Sequence, residues 1–304
     1  MRGAPRQGGT MRTLLLVLAA LVLAAGEERV YFIGNSVTDT VNYGGFKAMA
    51  AARGVPVAWG RHMIPGAPLE WLWSHQGEGF GEQPYGTSHP AVSGFAWDHI
   101  TIQPFDRHLP QDRTVIAEIV ALQLAKNPAC RFWIYQRWPR MQGIDGKDLQ
   151  FDKDAYDPAQ GRLTVDLARI RPWAGLYGRT YTGGWDGSNE SRDYCAKLLA
   201  AMREAEPKAA FRLVPVGDVM AELDARMQAG QAAGWSTVWQ VYKDGIHLGP
   251  TGSYLCGATF ASALLGLAPK DLPTAAYGAV DPLLVPLIQD CIATVLARTP
   301  DAKR

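Results

Sequence analysis

The feature that most limits how this chain can fold is a short apolar run that ends in a glycine turn. Residues 30–33 are apolar and lead directly into Gly34-Asn35-Ser36, after which apolar residues recur at helical spacing as far as Gly54. A buried strand that ends in such a turn places Ser36 at the carboxyl end of a sheet, where open α/β sheets bind ligands. The ordinary alternative is that Ser36 only caps the helix that follows.

Strand patterns and helix patterns alternate along the rest of the chain. Strands are predicted at 30–33, 55–59, 97–103, 131–135 and 211–216, and helices near 46–50, 115–124, 194–202, 219–227, 254–264 and 287–296. This alternation predicts a parallel sheet with helices on both faces. In a chain of 304 residues that is 47% hydrophobic, residues 27–304 are predicted to form one α/β domain, and a division into two is the alternative.

A second short pattern lies some two hundred residues after the first. Asp244 precedes His247 by three residues in a turn bounded by Gly245 and Gly249. A carboxylate at this spacing can hold one ring nitrogen of the imidazole while the other points away. The remaining histidines lack an Asp at this spacing in a glycine-bounded turn: His62, His75, His89, His99 and His108.

The two patterns together resemble the SGNH (GDSL-type) hydrolase family. In that family a Ser in a Gly-Asp-Ser or Gly-Asn-Ser block after the first strand is paired with a late Asp-x-x-His block. The resemblance implies a three-layer α/β/α flavodoxin-like sandwich with a central five-stranded parallel sheet in the order 2-1-3-4-5. It also implies ester hydrolysis by Ser36, His247 and Asp244, with no cofactor and no metal.

The same resemblance implies where the oxyanion of the reaction would be held. The expected donors are the backbone N–H groups of Ser36 and Gly66 and a side-chain amide after the third strand. The family carries Gly-x-Asn-Asp at that place, whereas this chain has Gln103 with neither the Gly nor the Asp. A Gln offers the same amide one methylene further out, so we expect Gln103 to fill the role. The alternative is a polar residue that merely ends the strand.

Three residues are weaker candidates for substrate binding: Asn35, Arg137 and Trp138. Arg137 or Arg140, after the fourth strand, could meet an anionic sugar, or they could pair with carboxylates of the next loop. Residues 76–96 are predicted to be a long surface loop, and 141–189 an insertion over the site with a short helix near 163–170.

Composition excludes one class of partner. The formal net charge is +1 and the sequence has no Lys/Arg run, so it lacks the positive electrostatic potential that attracts nucleic acid. Ten Trp and eleven Tyr are many for this length. These aromatic residues could pack in the core and at its rim, or they could line a cleft in which sugar rings stack.

The amino terminus has the pattern of a signal peptide. Arg12 and earlier arginines precede twelve apolar residues, 14–25, and small residues before Glu27 supply a cleavage site. Residues 1–26 are therefore predicted to be removed on export, whether translation starts at Met1 or Met11, which leaves no stable membrane insertion. The run is short for a span, and an uncleaved anchor is the alternative.

A secreted or periplasmic location makes disulfides available to the four cysteines. These are Cys130, Cys195, Cys256 and Cys291. Three pairings are open, and buried free thiols are equally consistent with their apolar surroundings. The sequence has no CxxC motif or Cys/His cluster that would indicate a zinc site.

These patterns lead to one functional expectation and two alternatives. We expect an exported serine esterase whose substrate is an acyl ester, with removal of acetyl groups from carbohydrate preferred. One alternative is an O-acyltransferase that uses the same three residues. The other is a glycan-binding protein of the same fold without catalysis, because a fold does not fix a function.

Overall fold

The computed structural model describes residues 26–149, 155–164 and 166–302. Its strands are β1 Glu28–Gly34, β2 Val57–Met63, β3 Phe80–Gly81, β4 His99–Ile102, β5 Arg131–Tyr135, β6 Tyr156–Asp157, β7 Arg162–Leu163 and β8 Ala210–Val214. Its α-helices are α1 Tyr43–Ala52, α2 Leu69–Ser74, α3 Ser88–Gly94, α4 Leu109–Leu124, α5 Trp173–Tyr177, α6 Arg192–Ala205, α7 Val216–Gln228, α8 Pro250–Leu265 and α9 Val285–Arg298. The predicted leader lies outside these ranges except for Gly26.

The main sheet has the order β3-β2-β1-β4-β5-β8. All neighbours pair in parallel except β2 and β3, which are antiparallel. The five parallel strands therefore follow the predicted order 2-1-3-4-5, and the α/β prediction is confirmed. The sixth strand, β3, was not predicted.

Both faces of the sheet are buried, which gives three layers. Along β1, Val30 and Phe32 belong to one apolar core while Tyr31 and Ile33 belong to the other, because successive side chains of a strand point to opposite faces. The first core is completed by α1, α5, α7, α8 and α9, and the second by α2, α3, α4 and α6. A near-continuous apolar run, as in β1, is the pattern expected of a strand covered on both sides.

The chain order reverses between β1 and β4, and this reversal creates the site. β1 pairs with β2 on one side and with β4 on the other. Ile33 lies opposite Ile102, and the Gln103 backbone N–H donates to the Ile33 carbonyl oxygen at 2.9 Å. Loops that leave neighbouring strands at such a switch point diverge and leave a crevice between them.

The predictions of a surface loop at 76–96 and of a helix near 163–170 were wrong. The segment 76–96 contains β3 and α3, because Phe80–Gly81 pairs with the edge of β2 and because Ala91 and Val92 are buried in the second core. The helix predicted near 163–170 is replaced by the β6–β7 hairpin and a 3₁₀ turn at Leu167–Arg169, with residue 165 outside the described ranges. In both segments tertiary pairing overrode a weak local preference.

The four cysteines are buried free thiols, so none of the three disulfide pairings is present. Cys256 illustrates their surroundings, since its Sγ lies 3.0 Å from the Tyr135 hydroxyl oxygen. None of the helices within the described ranges is both long and apolar enough to cross a bilayer.

Candidate active site

The loop after β1 carries Ser36 between two buried neighbours. Asn35 and Val37 are buried, whereas Ser36 is partly exposed. The turn is tight, because a Cβ at Gly34 would lie 2.0 Å from Thr38 Oγ1 and 2.8 Å from Gln103 Oε1. Only glycine fits there, because a larger side chain would clash with Thr38 and Gln103.

A turn between the 3₁₀ helix Val238–Val241 and α8 carries Asp244 and His247. The turn is closed on itself by the bridge between Tyr242 and Leu248. It is also tied to the chain after β5, since the Met141 N–H donates to the Gly245 carbonyl oxygen at 2.8 Å. α8 is buried along nearly its whole length and anchors the turn against the sheet.

The structure brings the three predicted residues into one hydrogen-bonded chain. His247 Nε2 lies 2.8 Å from Ser36 Oγ, and His247 Nδ1 lies 2.8 Å from Asp244 Oδ2. The second carboxylate oxygen, Asp244 Oδ1, accepts the backbone N–H groups of His247 at 2.7 Å and Ile246 at 2.8 Å. Both oxygens of Asp244 are therefore occupied, and the imidazole is fixed between a carboxylate and a hydroxyl.

The charge of Asp244 determines which ring nitrogen carries the proton. Burial raises the pKa of Asp244, but the hydrogen bonds from the His247 ring and from the two backbone N–H groups outweigh it and lower this pKa to about 2. An ionised carboxylate can only accept, so the proton of neutral His247 must lie on Nδ1. His247 Nε2 is then free to accept the proton of the Ser36 hydroxyl.

The Ser36 hydroxyl faces a cleft of about 560 Å³. Its apolar wall consists of Val37, Pro65, Phe105, Leu149 and Ile246, and its polar wall includes Asp244, His247, Arg140 and Asp148. This volume suits a small-molecule group rather than a protein chain.

Of the two further oxyanion residues predicted, Gly66 lines the cleft and Gln103 does not appear among its lining residues. Gln103 is buried with 1% of its surface exposed. Its Oε1 accepts from the Asn35 backbone N–H at 3.2 Å and from Thr38 Oγ1 at 2.8 Å, and its Nε2 donates to the Pro104 carbonyl oxygen at 3.2 Å. The amide of Gln103 therefore hydrogen-bonds to the loop that carries Ser36, and it does not point into the cleft.

The three weaker substrate-binding candidates are also buried behind the cleft. Asn35 Nδ2 donates to the Ala67 carbonyl oxygen at 3.2 Å and so ties the Ser36 loop to the Gly66 loop. Trp138 Nε1 donates to the Ile246 carbonyl oxygen at 2.6 Å and supports the Asp-His turn. Arg137 Nη2 donates to Glu190 Oε1 at 2.6 Å, which is the carboxylate pairing and not the anionic-sugar contact.

Arg140 is the cleft residue that sequence reasoning considered but did not select. Its guanidinium donates to three carboxylates, at 2.6 Å to Glu190 Oε1, 2.5 Å to Asp106 Oδ1 and 3.3 Å to Asp148 Oδ2. Burial raises the pKa of Glu190, but Arg137 and Arg140 outweigh it and hold this pKa below its usual value. No sequence signal pointed to Glu190, because its partners lie about fifty positions earlier in the chain.

Phe105 and Leu149 were likewise missed as cleft residues. Phe105 follows Gln103 by two positions, so its place just beyond a strand end was an available signal. Leu149 belongs to the insertion, where no periodicity marked it. Within the described ranges, no three His, Cys, Asp or Glu side chains are grouped as metal ligands would be.

No protein-family model matches the chain, and no curated protein matches it either. Among solved structures, a DUF4886 family protein from Bacteroides uniformis is similar over 91% of this chain and 97% of that chain, with a TM-score of 0.55 and 15% identity. A candidate SGNH hydrolase from Slackia heliotrinireducens matches 78% of this chain and 98% of its own, at a TM-score of 0.41 and 20% identity. A carbohydrate esterase family 2 enzyme from Corynascus thermopiles matches 80% of this chain and 68% of its own, at a TM-score of 0.36 and 11% identity.

The sheet order and the positions of the two motifs agree with the fold that the resemblance stated from the sequence implies. The parallel strands run 2-1-3-4-5, Ser36 follows the first of them, and the Asp-His turn precedes the last two helices. The chain therefore has a three-layer α/β/α fold around a mostly parallel sheet. At such low identities the similarity to solved structures concerns the fold alone, so the chemistry of the site has to be argued from its own residues.

Replacement of Gln103 by Met tests its place in the site. Met has a similar length, but its thioether sulfur is only a weak acceptor, so the Asn35 N–H and the Thr38 hydroxyl would lose a strong partner. We expect Gln103→Met to lower the free energy of unfolding by about 1–3 kcal/mol in urea titrations. The matched control Thr38→Val removes one of the two donors and should cost less. A large fall in kcat with an unchanged free energy of unfolding would instead assign Gln103 to the oxyanion.

Proposed function

We propose that this protein is an exported serine esterase that removes acyl groups, with acetyl preferred, from carbohydrate. The observation that carries the proposal is the continuous chain of hydrogen bonds from Ser36 through His247 to Asp244, with the hydroxyl facing a cleft. A Ser hydroxyl is a weak nucleophile unless a base takes its proton, and this chain supplies both the base and the group that orients it.

The proposed reaction uses Ser36 as the nucleophile. Its Oγ attacks the carbonyl carbon of the ester while His247 Nε2 accepts the hydroxyl proton. The resulting imidazolium is stabilised by ionised Asp244 and then protonates the leaving sugar oxygen, which leaves an acyl group on Ser36. Water, activated by the same imidazole, attacks this acyl group and releases the acid. The backbone N–H groups of Ser36 and Gly66 are the proposed donors to the oxyanion.

The apolar lining of the cleft supports the placement of an acyl group beside Ser36. The apolar residues around Ser36 include Val37, Pro65 and Phe105, which suit the methyl end of an acyl group. The leaving group would then extend toward the polar side, past Arg140 and Asp148. Export to a secreted or periplasmic location rests on the leader pattern of residues 1–26.

Three substitutions test the proposed chemistry, with p-nitrophenyl acetate and acetylated polysaccharides as substrates. Ser36→Ala should lower kcat by at least about four orders of magnitude, and His247→Ala by a similar factor, because nucleophile and base act as a unit. Asp244→Asn should cost about two orders of magnitude less. His89→Ala, on an exposed histidine outside the cleft, is the control and should retain the parent rate.

The same assay separates the proposal from its alternatives. Equal release from Ser36→Ala and parent protein would mean that Ser36 is only a structural residue and that the proposal is wrong. Transfer of the acetyl group to an added sugar, in place of release into water, would identify an acyltransferase. Binding of sugar without any turnover by the parent would identify a glycan-binding protein.

Mass spectrometry of protein recovered from the secreted or periplasmic fraction tests the export proposal. We expect a first residue between Ala25 and Glu28, because small residues suitable for cleavage occur there. Recovered protein that still carries residues 14–25 would show an uncleaved anchor instead.

A further inference from the structure

A second cavity, of about 520 Å³, adjoins the cleft that contains Ser36. Arg140 and Asp148 line both cavities, so the two share a boundary. The second cavity is formed by the loop after β4 and by the chain between β5 and α6. It is therefore the continuation of the cleft along the insertion and not an isolated hollow.

The two cavities differ in chemistry. The wall near Ser36 includes several apolar side chains, whereas most residues of the second cavity are polar, among them Arg107, Gln142 and Asn189. Polar groups spread around a cavity suit a ligand with many hydroxyl groups, and an apolar wall suits an alkyl group. The ester of an acylated sugar presents both parts, joined at the atom where Ser36 would attack.

Trp185 is the aromatic residue of the second cavity and is unusually exposed. Its surface is 72% exposed, while most other tryptophans are buried in the cores. A flat indole face carries negative charge density and attracts the weakly positive C–H face of a sugar ring. The His108 ring supports Trp185, with the two ring centroids 4.4 Å apart.

The turn that carries Trp185 is held in place by hydrogen bonds. Asp186 Oδ1 accepts the Ser188 N–H at 2.9 Å, and Asp186 Oδ2 accepts the Thr182 hydroxyl at 3.0 Å. Arg179 Nη1 donates to the Asp186 carbonyl oxygen at 2.9 Å. An exposed aromatic side chain on a turn fixed in this way is positioned for contact at a small cost in conformational entropy.

The charges of the second cavity select against an anionic ligand. Four carboxylates line it, against two guanidinium groups. Of the two arginines, Arg140 is paired with carboxylates and Arg107 Nε donates to Glu70 Oε1 at 2.5 Å. Hydrogen bonds from Ser188 hold the pKa of Asp186 below its usual value, which keeps that carboxylate ionised. No described residue of this wall offers a positive charge that is not already paired.

We propose that the second cavity binds the sugar chain that carries the ester, that the chain is uncharged, and that one of its rings stacks on Trp185. This inference rests on the proposed esterase function and adds the chemical class of the leaving group. Trp185 is a binding residue in this account and does not touch the reacting atoms.

Kinetics with three variants test the role of Trp185. The quantity measured is the ratio of kcat/KM for an acetylated xylo-oligosaccharide to kcat/KM for p-nitrophenyl acetate. Trp185→Ala should lower this ratio about fivefold to tenfold, the scale of one aromatic contact, and Trp185→Phe should restore part of it. Trp71→Ala is the matched control, because Trp71 is 46% exposed and lines neither cavity. An unchanged ratio in Trp185→Ala would overturn the proposal.

Substrate charge provides a second kinetic test. The parent protein should favour acetylated xylo-oligosaccharides over acetylated galacturonan oligosaccharides by at least about tenfold at low ionic strength, because repulsion between like charges is then least screened. Equal rates on the two, or a preference for the galacturonan, would contradict an uncharged ligand.

Binding measured without turnover separates this inference from the esterase proposal. Calorimetry with Ser36→Ala protein and unacetylated xylo-, manno- and gluco-hexasaccharides should detect binding that the additional change Trp185→Ala weakens. Esterase activity in the parent together with no such binding, or with binding indifferent to Trp185, would overturn the sugar site alone. Trp185-dependent binding by a protein without esterase activity would support the sugar site and reject the esterase.

Discussion

The site depends on the contact between two strand ends at the switch point of the sheet. β1 and β4 are adjacent, yet the loops that follow them must diverge, and the packing of Gly34 against Thr38 and Gln103 makes this geometry possible. Gln103 then satisfies the buried Asn35 N–H, which would otherwise cost about 1–3 kcal/mol. As a result, the loop that carries Ser36 is fixed to the end of the sheet by these contacts.

A buried ionic cluster connects the insertion to this site. Glu190 binds Arg137 and Arg140 at once, and Arg140 reaches the boundary of both cavities. A buried ion pair contributes little net stability compared with apolar packing, but the loss of one partner leaves an unpaired charge and is costly. The cluster therefore fixes where the insertion lies relative to Ser36. It also pairs the charges of both arginines with a carboxylate.

Local signals were sufficient to predict the five parallel strands, most helices and the positions of Ser36, Asp244 and His247. An apolar run before a glycine turn, and an Asp three residues before a His, can each be read from a few adjacent residues. The orientation of the Gln103 amide could not be predicted, because Thr38 and the Asn35 N–H determine it only after the chain folds. The partnership of Arg137 with Glu190 and the exposure of Trp185 also depend on contacts between distant segments.

The proposed chemistry depends on Ser36 being a nucleophile that His247 activates. The most direct test is to treat the purified protein with a fluorophosphonate, which forms a covalent adduct with an activated serine, and to locate the adduct by peptide mass spectrometry. We expect one adduct per chain, on the peptide that contains Ser36, and strongly reduced labelling in His247→Ala protein. Folded parent protein that remains unlabelled, or that carries the label on a different serine, would contradict the account.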